Sequence, residues 1–199
     1  VRPWCELILQ RIMPMALRGE WRGISLLFPM ERLFERYVEA GLRRQLQPGA
    51  ELRSQAASRS LCTHQGKPMF ELRPDLLLTQ GSQRWVLDAK WKRLDGADRQ
   101  GKYGLSQADL YQLFAYGHKY LGGQGDLVLI YPAWQRFKVP LAPFCFDNDN
   151  RLRLWVLPFE LGAQATHRLL LPEWPAGDGV SGLALPLRTK LMASLVSRA

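Results

Sequence analysis

Two aspartates and a lysine form the pattern in this sequence best suited to chemistry. Asp75 stands behind Pro74, and Asp88 and Lys90 close the apolar run that begins at Trp85. Carboxylates are hard oxygen donors that suit a divalent cation, and an ammonium beside them can orient a nucleophile or hold developing negative charge. An unpaired charge beside a core is costly and is usually functional or neutralised. The same residues also fit a plainer pattern, with Pro74 marking the start of a strand and Asp88 and Lys90 forming an ion pair on a solvated face.

The elements around them decide whether the three can meet. Apolar runs on either side of Gly81-Ser82 read as two strands joined by a type II′ turn. A two-residue loop there sets Asp75 directly opposite Asp88, with Cβ atoms about 5 Å apart, where like charges repel unless a cation lies between them. Strand alternation puts Lys90 on the face of Asp88 and turns Leu87, Ala89 and Trp91 to the other side. Trp85 and Trp91 are expected to pack in the core or on the sheet face.

Before the hairpin, Leu27, Met30, Leu33, Phe34, Tyr37, Val38 and Leu42 recur at helical spacing, which predicts an amphipathic helix over residues 26–46, ended by Pro48 and Gly49. Glu31 and Glu35 flank its apolar stripe. On periodicity alone either reads as a solvated glutamate balancing the arginines of the same helix. Residues 51–67 are polar and weakly periodic, enough for one strand and a loop, with Arg53, Arg59 and Lys67 placed to touch a nucleic-acid backbone or simply to be solvated.

After the hairpin, residues 94–104 read as a mobile polar loop. Ser106 caps a predicted helix through Tyr120, with Leu110, Leu113, Phe114 and Gly117 on one face and Gly122-Gly123 as its stop. Gln112 and Tyr116, four apart, share a face. The apolar run from Gly125 to Pro132 predicts a strand buried on both faces, pairing parallel with the hairpin. Residues 137–146 and 152–157 read as a further hairpin across the polar turn 147–150. A helix broken at Pro14 is expected within residues 1–20, and a short terminal helix within 187–195.

Pro74-Asp75 followed by Asp88-Ala89-Lys90 resembles the PD-(D/E)xK nuclease signature. The flanking blocks Leu33-Phe34-Glu35-Arg36-Tyr37-Val38 and Asp109-Leu110-Tyr111-Gln112-Leu113-Phe114-Ala115-Tyr116-Gly117 are similar to McrC, the endonuclease family of modified-cytosine restriction systems. The resemblance spans about residues 26 to 132. It implies an α/β restriction-endonuclease-like fold with a central mixed sheet flanked by helices, and Mg²⁺-dependent hydrolysis of DNA, with Mn²⁺ able to substitute. It assigns the metal to Asp75, Asp88, the backbone carbonyl of Ala89 and Glu35, and gives Lys90 a catalytic role. The Gln112 and Tyr116 spacing resembles a further motif of RecB-like nucleases, where the pair approaches the active site; packing for Tyr116 and a surface place for Gln112 stay open beside that. The family implies a GTP-hydrolysing AAA+ partner, McrB. A non-catalytic DNA-binding or assembly module on the same fold is the alternative, and homo-oligomerisation stays open.

Composition agrees with such a partner. Lys and Arg total 27 against 18 Asp and Glu, a formal charge of +9 spread along the chain, which favours a polyanion. A hydrophobic content of 47% suffices for a core, and 199 residues fit one domain. Its expected parts are an N-terminal helical segment at 1–25, the nuclease core at 26–162, and a C-terminal extension at 163–199 belonging to the same domain. Cys5, Cys62 and Cys145 show neither a disulfide framework nor paired metal-ligand spacing, which fits a reducing cytoplasm; Cys62 and His64 read as packing or surface residues. No apolar stretch is long enough to span a membrane, and Arg2 and Glu6 interrupt any secretory signal. The chain opens on Val1, whereas McrC-like proteins carry a further N-terminal region; a trimmed chain, a short family member and an alternative start codon all stay open.

Overall fold

The structure, a computed structural model, describes residues 29–146, 151–162, 168–172 and 182–188. The expected helix within 1–20, Cys5, the start of the 26–46 helix, the turn at 147–150, nearly all of the terminal helix and about two thirds of the extension at 163–199 lie outside the described residues.

Helix α1 spans Met30–Gln45. Its buried positions Phe34, Val38, Gly41 and Leu42 fall at the helical period, so one stripe faces the sheet. Met30 and Leu33, which the periodicity also assigns to that stripe, are exposed. Strand β1, Ala50–Ser54, follows, and then β2, Arg59–His64, and β3, Lys67–Leu72, pair as a separate two-stranded arm. Strands β4, Leu76–Gln80, and β5, Gln83–Ala89, form the expected hairpin.

Gly81 has φ +58 while Ser82 is not among the positive-φ residues, as a type II′ turn requires. The register pairs Gln80 with Gln83 and Leu76 with Leu87, the alignment that the two-residue turn dictates. Helix α2 is Gln107–Leu121, and β6, Gly125–Pro132, returns parallel to β5. Strand β7 is only Phe144–Cys145 and pairs antiparallel with β8, Leu152–Phe159, which lies parallel to β6. The expected hairpin before residue 147 is thus shorter than the apolar pattern suggests: Lys138 to Pro143 form no strand, and Leu141 N alone among them donates to β8, at Val156 O.

The six-stranded sheet has the order β1-β4-β5-β6-β8-β7 and is mixed. Among the described residues one helix covers each face. On one side α1 packs through Phe34, Val38 and Leu42 onto Trp85, Leu87, Ala89, Val128 and Ile130. On the other, α2 packs through Leu113, Tyr116 and Tyr120 onto Val86, Leu127, Leu129 and Tyr131. Strand β6 feeds both cores, which is why its sequence is apolar without alternation. Trp85 is buried as expected, but Trp91 is 38% exposed and rests against Phe34 at 5.4 Å between ring centroids. Phe114 also leaves the core; it is 43% exposed and packs on His118 and Phe146.

Gly117 lets α2 approach the sheet. A Cβ there would lie 2.7 Å from Leu152 Cδ2 and 3.2 Å from Leu127 Cδ1, both in residues with no room to retreat. Gly117→Val is therefore expected to destabilise the fold by about 2 kcal/mol through overpacking. Urea unfolding would show this as a lower midpoint at unchanged slope.

Residues 94–104 are more closely tied than their polar composition suggests. Leu94 is fully buried, Asp98 Oδ1 accepts from Gly101 N at 2.9 Å, and Tyr103 N donates to Asp98 O at 2.7 Å. Short Asp side chains closing the backbone onto itself account for this.

Candidate active site

Continuing the β4–β5 register one pair beyond Leu76 and Leu87 brings Asp75 opposite Asp88, at the end of the sheet where β5 and β6 finish. Leu77 and Val86 belong to the α2-side core, so by alternation both aspartates face α2. Asp75 Oδ2 accepts a hydrogen bond from Ala89 N at 2.9 Å, which ties the carboxyl to the opposite strand. Asp88 is 1% exposed and is the one fully buried charged residue among those described. Lys90 Nζ lies 2.6 Å from Asp88 Oδ2, and Lys90 N donates to Ile130 O at 2.9 Å. Asp88 Oδ2 is thus buried with the Lys90 ammonium as its counter-charge.

The electrostatics follow from burial. Desolvation first, and then the charge of Asp75, push the Asp88 carboxyl up to about 7 despite the relief from Lys90. Asp75 is raised by burial too, partly offset by the Ala89 N–H and Lys90. The two carboxyls are close enough to hydrogen-bond to each other when one carries a proton. Burial works to lower Lys90, but Asp88, Asp75 and Asp109 outweigh it and hold the ammonium above its ordinary value. Lys90 is therefore a fixed positive charge in this geometry.

Glu35 comes from the other layer. It is half-buried on α1, and its pKa is raised by burial and then by Asp75, with Lys90 lowering it, which places it at the edge of the cluster. Among the described residues no three His, Cys, Asp or Glu side chains gather closely enough to hold a metal ion by themselves. Gln112 and Tyr116 both face inward on α2: Gln112 Nε2 donates to Tyr116 Oη at 2.8 Å, and Tyr116 Oη donates to Arg73 O at 2.9 Å. Tyr116 thereby holds the backbone two residues before Asp75. Burial, followed by the charge of Asp88, pushes its hydroxyl up to about 12.

The sequence reading passed over two further groups. Asp109 lies in the first turn of α2, on the inward stripe that continues through Leu113, Tyr116 and Tyr120. Its charge acts on Asp88, Lys90 and Tyr131. Tyr131 is fully buried at the end of β6, with its hydroxyl beside Asp109. The spacing of Asp109 from Leu113 and Tyr116 puts it on the inward face but does not set it apart from an ordinary first-turn helix acid, and nothing in the sequence marked Tyr131.

The cluster fits a divalent cation. It offers two carboxylates that repel one another, one of them fully buried, and Mg²⁺ is commonly held by only one or two carboxylates with water filling the remaining positions.

Fold and site together define an α/β domain with a mixed sheet between helical layers and a carboxylate pair and lysine at the strand ends. Residues 1–132 match the family model described as McrBC 5-methylcytosine restriction system component, and the chain belongs to that family. This bears out the resemblance carried by the blocks around Phe34 and Gln112. The chain is also similar, at 21% identity and a TM-score of 0.50, to a chain in the refined half-complex from the tetradecameric assembly of Thermococcus gammatolerans McrB AAA+ hexamers with bound McrC. That likeness covers 83% of this chain and 42% of the other, so this chain spans less than half the length of its structural relative, and at such identity it bears on the fold alone. No curated protein matches.

Proposed function

We propose that this chain is an McrC-like, Mg²⁺-dependent endodeoxyribonuclease of the PD-(D/E)xK kind. It acts in the cytoplasm within a modification-dependent restriction system, under control of an McrB-like AAA+ GTPase. The observation that carries this reading is the convergence of Asp75, Asp88 and Lys90 on one face, with Asp88 fully buried and Lys90 Nζ 2.6 Å from its Oδ2.

Asp75 and Asp88 would hold the ion together with the Ala89 carbonyl, while Glu35 reaches the site from α1 through water. When bound, the ion supplies positive charge to the scissile phosphate and lowers the pKa of water. Lys90, kept protonated by its carboxylate neighbours, holds charge developing on the phosphate oxygens and orients the attacking group rather than taking its proton. Gln112 and Tyr116 fix the Arg73 carbonyl and so the position of Asp75. The net charge of +9 supplies the general attraction to DNA.

Cleavage of methylated and unmethylated DNA in Mg²⁺, with and without the GTPase partner and GTP, tests this. The wild type is expected to cut the methylated substrate in the complete mixture and Asp88→Ala to leave it intact; equal cutting by both would remove the assignment.

A further inference from the structure

The β2–β3 arm stands apart from the six-stranded sheet, and nothing described so far uses it. Its middle carries Leu61, Met69 and Phe70 exposed by 43%, 42% and 67%, an unusual density of large apolar side chains for so short a hairpin. Phe70 has φ +58, a left-handed conformation that is strained for an aromatic residue, and such strain gathers where side chains serve a function. The base of the arm is anchored to α2. Tyr120 Oη lies 2.7 Å from Leu72 O and 3.0 Å from Ala57 O, and the Arg59 guanidinium sits 5.0 Å from the centre of the Tyr120 ring and donates to Lys119 O.

Beside that base lies an open concavity of about 770 Å³, lined among others by Arg59, Arg84, His118, Lys119, Asp126 and Arg153. Asp126 is committed to Arg153, its Oδ1 accepting from Arg153 Nε at 2.8 Å, and to Trp155. Arg59, Arg84 and Lys119 form no ion pair among the described residues. Within residues 59–73 the arm itself carries Arg59, Lys67 and Arg73 against Glu71 alone. A surface with uncompensated cations beside exposed aromatic and apolar side chains matches a nucleic acid, which offers phosphates and apolar sugar and base surfaces side by side.

Helix α2 connects this surface to the candidate site. Gln112 and Tyr116 stand at one, Lys119 and Tyr120 at the other, and the rise from Gln112 to Tyr120 is about 12 Å, or roughly four base-pair steps. We propose that the β2–β3 arm and the basic concavity at its base are a second DNA contact beyond the cleavage site, seating phosphates on Arg59, Arg84 and Lys119 and packing Phe70 against the sugar–base edge of the duplex. This inference rests on the nuclease reading and names where the substrate is held outside the chemistry.

The test is fluorescence anisotropy of a 30-base-pair duplex, in EDTA so that nothing is cut, across a salt series. Phe70→Gly removes the ring and relieves the strained backbone together, and circular dichroism of the variant separates weakened binding from a folding defect. It is expected to weaken binding about tenfold. The combined Arg59→Gln, Arg84→Gln and Lys119→Gln variant is expected to flatten the slope of log affinity against log salt by about 2 to 3. Wild-type affinity and slope in both variants would overturn the inference while leaving the nuclease reading in place. Absence of DNA binding by the wild type would overturn both. Unaltered DNA binding with lost association to the AAA+ partner would overturn the DNA contact and make the arm a protein dock.

Discussion

Lys90→Ala lowers the rate of DNA cleavage by about three orders of magnitude while the protein remains folded. Loss of one preorganised group that stabilises transition-state charge typically costs 10²- to 10³-fold, and here a second effect adds to it. Without the ammonium 2.6 Å from Asp88 Oδ2, the buried carboxylate pair loses its nearest counter-charge, so Asp88 is held more firmly in the protonated form that cannot bind metal. Lys90→Arg separates two roles. A guanidinium keeps the charge but cannot act as a base, so activity within about tenfold of wild type would mean that Lys90 acts by its charge. Activity as low as that of Lys90→Ala, with metal binding retained, would instead make it the proton acceptor. Steady-state cleavage at saturating Mg²⁺, with circular dichroism as the folding control, reads both.

The metal-free protein becomes less stable as pH rises from about 4 to about 7. Asp88 has its folded-state pKa raised to about 7 from an ordinary carboxylate value of 3.8. Across that window the folded state therefore binds more protons than the unfolded state, and its stability falls with each unit of pH until Asp88 is ionised in both. The raised pKa of Lys90 contributes only in the alkaline range and does not offset this. The expected loss is a few kcal/mol, shared between the coupled aspartates, or roughly 5–10 °C in the thermal midpoint. Asp88→Asn should flatten most of the decline. Mg²⁺ added at pH 8 should recover the wild type and leave the variant unmoved, since a ligand that binds the folded state stabilises it by mass action. Differential scanning calorimetry at pH 5 and pH 8 in EDTA, and again in Mg²⁺, measures all of this.

Local rules made the central geometry legible. A two-residue turn admits one register, so Gly81-Ser82 set Asp75 against Asp88, and alternation carried Lys90 to the same face. The apolar run in β6 and the Ser106 to Gly122 frame of α2 were readable for the same reason, being local patterns with defined periods. Features set by the width of the sheet were not. Helical periodicity marks a stripe but not how far the sheet extends beneath it, so Met30, Leu33 and Phe114 carry core-like spacing and lie exposed. The β2–β3 arm left little trace because its strands are short and almost wholly exposed, so neither shows an alternation of buried and solvated positions. Asp109 looked like an ordinary first-turn helix acid, and only the return of β6 beneath α2 brings it beside Lys90 and Tyr131.

Isothermal titration calorimetry of Mn²⁺ or Mg²⁺ into the wild type and Asp75→Ala tests most directly whether the carboxylate pair is a metal site. Asp75 is only partly buried, and its main tie is one hydrogen bond from Ala89 N, so the variant should keep its fold. One divalent ion bound per wild-type chain and loss of that binding in Asp75→Ala is the predicted result. Equal binding by the two proteins, or none by the wild type at pH 8, would contradict the account.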